Sequence, residues 1–159
     1  MHSIKNIKPT KKSGFIQGYF PVNECKKYQG SGPIVYRSSW ERKFCLYCER
    51  TPEIESWSSE SLSIKYFSPL DNKYHNYFPD YIVRLRNGNI FIVEIKPKSQ
   101  LQKPEPPKRK TPKSIKNHKW LYETWVVNMC KKAAAEEFAK SKGWQYLLVT
   151  EDFFKNKTS

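Results

Sequence analysis

The stretch from Tyr77 to Lys96 limits the fold more than any other part of this chain. Two apolar-rich runs, 77–86 and 89–96, flank a turn at Asn87-Gly88-Asn89, and this pattern reads as a β-hairpin. Asp80 stands at the head of the first strand. Glu94 and Lys96 stand two residues apart on the second, so both point to one face. The hairpin therefore gathers two carboxylates and an ammonium on one rim. That set suits holding a hard divalent cation and cutting a phosphodiester. Each residue also has a plainer reading. Asp80 could be a Pro-Asp turn opening a strand, and Glu94 a solvated position on an edge strand. Lys96 could be half of a surface ion pair, worth little.

The rest of the chain supplies a frame. Ser38, with Glu41 three residues on, fits a capping box that opens a first helix, which Thr51-Pro52 ends. Trp40, Phe44 and Cys48 give that helix an apolar stripe, widened by Leu46 and Tyr47. Short strands are expected over 54–57 and 61–67, with a turn at Asp71-Asn72-Lys73. A second, stronger helix is expected over 120–142. Its stripe is Leu121, Trp125, Met129 and Ala133, flanked by Val126, Cys130, Ala134 and Phe138, and it closes at Gly143. A buried strand over 144–150 follows, which implies one parallel pairing across the helix. The predicted class is α/β with a mixed (α+β) sheet, in the core order helix, three strands, helix, strand. Trp40, Trp120, Trp125 and Trp144 are expected in the core.

Charge points to the partner. The formal net charge is +14, with 28% charged residues, a balance that favours a polyanion such as nucleic acid. Aromatic residues make up 15%, too many for a disordered basic tail. Residues 1–33 read as a loose basic arm carrying Lys5, Lys8, Lys11 and Lys12. Residues 97–119 hold five of the eleven prolines and eight Lys or Arg against one acid, so a long extended basic loop is expected there. Arg37, Lys98, Gln100, Lys103, Lys108, Arg109, Lys110, Lys113, Lys116, Lys119 and Lys131 are the candidate phosphate contacts. No run is apolar enough for a membrane span or a secretory signal, so a soluble intracellular protein is expected. No Walker loop is present, and no nucleophilic Ser or Cys has a base beside it. Nucleotide-dependent and covalent mechanisms are therefore poor fits. Cys45 and Cys48 form a C-x-x-C pair without a second ligand pair, which favours reduced structural thiols over zinc.

Pro79-Asp80, thirteen residues, then Glu94-Ile95-Lys96 resembles the PD-(D/E)XK nuclease motif, and the element order resembles that superfamily's restriction-endonuclease-like core. Tyr36–Glu41, Tyr77–Tyr81, Val93–Pro97, Gly143-Trp144 and Val149–Glu151 resemble the head-completion nucleases of T-even bacteriophages, themselves similar to the transposon-end endonuclease subunit of Tn7-type elements. The resemblance implies a nuclease domain over 34–152, followed by a short tail over 153–159. It implies Asp80 and Glu94 as metal ligands, Glu41 as an additional acid and Lys96 as the catalytic lysine. It also implies Mg2+, with Mn2+ able to replace it, and double-stranded DNA as substrate. The setting would be virion assembly in the host cytoplasm, with portal, capsid or neck proteins as partners. Glu60 is expected to be structural. Two other readings stand beside this one: a non-catalytic virion plug that holds DNA, and a nuclease subunit active only with a partner.

Overall fold

The computed structural model describes residues 17–155. Its centre is a four-stranded mixed sheet of β3 (Ile54–Ser59), β6 (Tyr81–Leu85), β7 (Ile90–Ile95) and β8 (Gln145–Val149), in that spatial order. The first three strands run antiparallel, and β8 lies parallel to β7. Helix α1 (Ser39–Arg50) precedes β3, and α2 (Pro112–Lys142) crosses from β7 to β8. The restriction-endonuclease-like order expected from the sequence is thus α1, β3, β6, β7, α2, β8. Around it sit the hairpin β1 (Gly18–Phe20) and β2 (Ile34–Tyr36), the hairpin β4 (Ile64–Ser68) and β5 (Lys73–Tyr77), and a short terminal helix α3 (Glu151–Lys155).

Strand alternation sorts the core into two faces. Tyr81, Val83, Val93 and Ile95 point to one face, where they pack with Phe20, Ile34, Phe44, Cys45, Cys48 and Trp57. Ile92 points to the other and meets Ile64, Tyr66, Tyr77, Ala135 and Ala139. Glu94 has the parity of Ile92, so it is carried to the α2 face. The β6–β7 turn places Gly88 at φ 94°, a left-handed conformation open to glycine, and Asn87 Oδ1 accepts from Asn89 N–H at 2.9 Å.

Several expectations need correction. The second half of the proposed arm is ordered: β1, a 3-10 turn over Val22–Glu24, and Tyr28, which bridges to Trp57. Glu49 fixes this segment by accepting from Lys26 N–H, Lys27 N–H and Trp57 Nε1. The lysines at 5, 8, 11 and 12 lie outside the described residues. The run 77–86 is not one strand, because Pro79 lacks a donor and breaks it. Tyr77 ends β5, and β4–β5 forms its own sheet rather than joining the central one.

The basic loop is also shorter than expected. α2 spans 31 residues from Pro112, its N-terminus closed by a capping box between Thr111 and Ser114 with Pro at the first position. Lys113, Lys116 and Lys119 therefore ride on a helix. The helix buries Ala135 and Ala139, while Leu121 and Ala133 are exposed, because small residues let it sit close to Ile92. Trp120 is exposed, and the fully buried tryptophan is Trp57. β8 buries only Val149 fully, as befits an edge strand.

Candidate active site

The site forms where β6 begins and β7 ends. Asp80 and Glu94 are locked together by backbone donors. Ile95 N–H donates to Asp80 Oδ2 at 2.8 Å, and Asp80 N–H donates to Glu94 Oε2 at 3.3 Å. The same Oε2 accepts a short hydrogen bond from the Tyr77 hydroxyl. Lys96 Nζ lies 3.8 Å from Glu94 Oε1. One oxygen of each carboxylate is thus fixed by the fold. Among the described residues, Asp80 Oδ1 and Glu94 Oε1 receive no hydrogen bond.

Electrostatics mark the pair as unusual. Burial, then Glu94, then Glu41 push the Asp80 carboxyl well above the usual range, against the pull of Ile95 N–H and Lys96. Burial also raises Glu94, opposed by Lys96, Tyr77, Asp80 N–H and Lys131. Glu94 is only 7% exposed, on a strand flanked by β6 and β8. The plain reading of a solvated edge position therefore fails. A buried carboxylate is costly unless a countercharge accompanies it.

Glu41 approaches from the other side of the sheet. Its backbone N–H is capped by Ser38 Oγ at 3.1 Å, while its carboxylate accepts from the same hydroxyl at 3.2 Å. Its carbonyl accepts from Tyr81 Oη at 3.3 Å, which fastens α1 to the start of β6. Burial raises its carboxyl, with Arg37 and Ser38 opposing. Among the described residues, no three His, Cys, Asp or Glu side chains converge as a ready-made metal cage. Two carboxylates still fit Mg2+, which keeps several waters and commonly takes one or two protein carboxylates plus substrate phosphate. The donor chemistry suits a hard dication at Asp80 and Glu94, where Lys96 and Lys131 offset the carboxylate charge only in part, since both carboxyls remain raised.

The opposite wall is α2. Lys131 Nζ lies 5.4 Å from the Tyr77 ring centroid and 5.8 Å from that of Tyr66. Burial and the nearby Lys96 lower its pKa, while Glu94 and Asp80 pull the other way. Lys131, Asn128, Tyr146 and Leu101 line one cleft with Tyr77, Glu94 and Lys96.

Two comparisons bear on this geometry. Residues 51–151 match the pattern of the TnsA-like endonuclease N-terminal family. The chain belongs to the TnsA-like endonuclease family. It is also 37% identical over 136 residues to the head completion nuclease of Enterobacteria phage T4, covering 85% of this chain and 91% of that protein. No solved structure matches it.

Within this TnsA-like endonuclease, the expected phosphate contacts divide. Lys131 sits in the cleft. Lys108, Arg109, Lys110 and Lys113 are exposed beyond it, as is Gln100. Lys103 Nζ lies 5.8 Å from the Tyr122 ring centroid. Arg37 is paired with Glu60 at 2.5 Å and Lys98 with Asp152, so both already have carboxylate partners. Glu60 donates its backbone N–H to the Asp80 carbonyl at 3.0 Å, a structural role. Sequence reasoning missed Tyr77 and Tyr146 as site residues. The signal for Tyr77 was its place three residues before the acid, across Pro79.

Proposed function

We propose that this protein is a metal-dependent DNA nuclease of the PD-(D/E)XK type that hydrolyses phosphodiester bonds at the rim formed by Asp80, Glu94 and Lys96. One observation carries the reading: a buried Glu94 and a half-buried Asp80, two mutually repelling carboxylates, are cross-tied by backbone N–H groups and share their rim with a lysine. A fold keeps such a destabilising pair where it serves chemistry. The shared ancestry with an endonuclease family and a phage nuclease supports the same chemistry.

Asp80 and Glu94 would hold Mg2+, or Mn2+ in its place, with Glu41 adding negative charge from α1. When bound, the cation supplies Lewis-acid polarisation of the phosphodiester and eases deprotonation of the attacking water. Lys96 orients that water or balances charge developing on the phosphate. Lys131 faces it from α2 and holds a neighbouring phosphate. The exposed lysines of 103–113 grip the backbone without reading sequence.

The substrate is double-stranded DNA, and the setting is phage head completion in the infected cell. There the enzyme trims packaged DNA beside portal, capsid or neck proteins. The test is purified protein with linear and supercoiled DNA, in Mg2+ or Mn2+ and in chelator. Cutting in metal alone supports the proposal. Retention of DNA without cutting in any metal, with or without assembly factors, would favour the inert plug.

A further inference from the structure

Helix α2 is longer than the strands it covers. Its 31 residues span about 46 Å, against about 17 Å for the five residues of β8. Its second half packs on the sheet through Ala135, Phe138 and Ala139. Because β8 lies parallel to β7, the helix between them runs antiparallel to both. Its end therefore lies where β7 and β8 begin. Its start overhangs the edge where β7 ends, which is the edge that carries Asp80, Glu94 and Lys96. No residue from 112 to 134 is fully buried.

One side of this overhang continues the side that enters the cleft. Lys131 lines the cleft with Tyr77 and Glu94. Eleven residues close about three helical turns and eighteen close five, so Trp120 and Lys113 stand in line with Lys131 on one side of the helix. Trp120 is 62% exposed, and Lys113, Lys116 and Asn117 near it are exposed too. The loop after β7 crosses a different side: Lys103 lies over Tyr122, about 160° round the helix from Trp120.

We propose that the overhanging half of α2 is a DNA-tracking ridge, with Trp120 seated in a groove of the duplex beside the cut and Lys113 on its backbone. The inference rests on the nuclease reading and adds to it the contact that positions the duplex. Continuity with the site is the first support. Trp120 lies about 16 Å from Lys131 along one rigid helix, a distance covered by about five base pairs, so a duplex held at the rim reaches it. Charge is the second. The one acid between 112 and 131 is Glu123, whose Oε1 lies 4.0 Å from Lys119 Nζ. The third is the lack of an apolar patch. Ile115, Leu121 and Tyr122, the other exposed large apolar residues here, point about 100° or more away from Trp120. A single indole between lysines and an asparagine suits a nucleic-acid groove better than an apolar protein interface.

The test uses the full chain and has two readouts. Acrylamide quenching of tryptophan fluorescence is measured in chelator, with and without duplex DNA. The difference between the parent and Trp120→Phe isolates the signal of Trp120. Cleavage of closed circular DNA is measured in Mg2+ for the parent, Trp120→Ala, Lys113→Ala and Ile115→Ala. Duplex should shield Trp120 from acrylamide. Trp120→Ala should raise KM about fivefold or more with kcat unchanged. Lys113→Ala should make the salt dependence of binding shallower by about one phosphate contact. Ile115→Ala, on another side of the same helix, should change neither KM nor kcat. Trp120 left open to acrylamide in the DNA complex, or a parental KM for Trp120→Ala, would overturn the ridge. An equal rise in KM for Ile115→Ala would do the same, by showing a general weakening of the helix. So would shielding of Trp120 by a capsid or neck protein and not by DNA. Shielding by DNA without cleavage by any form would sink the nuclease reading and leave the ridge standing.

Discussion

Replacing Asp80 with Asn should stabilise the metal-free protein while ending its activity. Asp80 is half-buried near Glu94 and Glu41, and its carboxyl is pushed well above its usual pKa, mainly by the loss of water around it and then by those two acids. Above the pKa of an unfolded aspartate, about 4, the folded state must either hold a second carboxylate charge against Glu94 and Glu41 or take up a proton that the unfolded chain has released. Either way, stability falls as pH rises from about 4 towards the folded pKa. Asparagine carries no charge, and its side-chain oxygen can still accept from Ile95 N–H, the bond at 2.8 Å that anchors Asp80 now. Relief of such strain is worth about 1–2 kcal/mol. For a chain of this length that corresponds to a rise in Tm of about 3–6 °C. Calorimetry in chelator at pH 7.5 should show the rise, and the gap should shrink as pH is lowered to about 4. Saturating Mg2+ should narrow it as well, because only the parent gains a bound cation. An unchanged or lower Tm for the variant at pH 7.5 would refute the reasoning.

Other outcomes follow from the same geometry. Tyr77→Phe removes the hydroxyl that fixes Glu94 Oε2. Isothermal titration should show Mn2+ affinity falling about 10- to 100-fold, with DNA affinity in chelator unchanged. Lys96→Met should abolish cleavage yet leave DNA retention within about twofold in a filter-binding assay, since one phosphate contact among many contributes little. Cleavage rates at subsaturating DNA should drop steeply between 50 and 200 mM salt, and charge reversal at Lys108, Arg109 and Lys110 should flatten that slope. Burial pushes the Cys45 thiol up to about 12 and the Cys48 thiol well above its normal range. Mass spectrometry after alkylation at pH 8 should therefore find both unmodified until the protein is denatured.

The parts of the fold that were legible in the sequence were those written in local chemistry. Ser38 caps α1 and Pro52 follows its end, Gly143 ends α2 at φ 71°, and Gly88 turns the β6–β7 hairpin. The meeting of Asp80, Glu94 and Lys96 was legible because a strand's period of two and a short turn fix which side chains come together. What stayed hidden depended on tertiary choices. The start of α2 at Thr111-Pro112 was masked by the surrounding prolines and lysines, which resemble a linker even though Thr-Pro is itself a start signal. The strand pattern of β4–β5 does not say that it leaves the main sheet. Trp57 looks like any strand tryptophan until Glu49 is seen to bind its indole N–H at 2.6 Å. Tyr77 reads as a strand aromatic, and only the fold turns its hydroxyl onto Glu94.

The central claim is that Asp80 and Glu94 together form the centre that breaks DNA strands. Single-turnover cleavage of a labelled duplex, comparing the parent with Asp80→Asn and Glu94→Gln in Mg2+ and in Mn2+, tests it most directly. The account predicts cutting by the parent in both metals and none by either variant, with all three proteins folded and binding DNA equally. Cutting by either variant at the parental rate would contradict it.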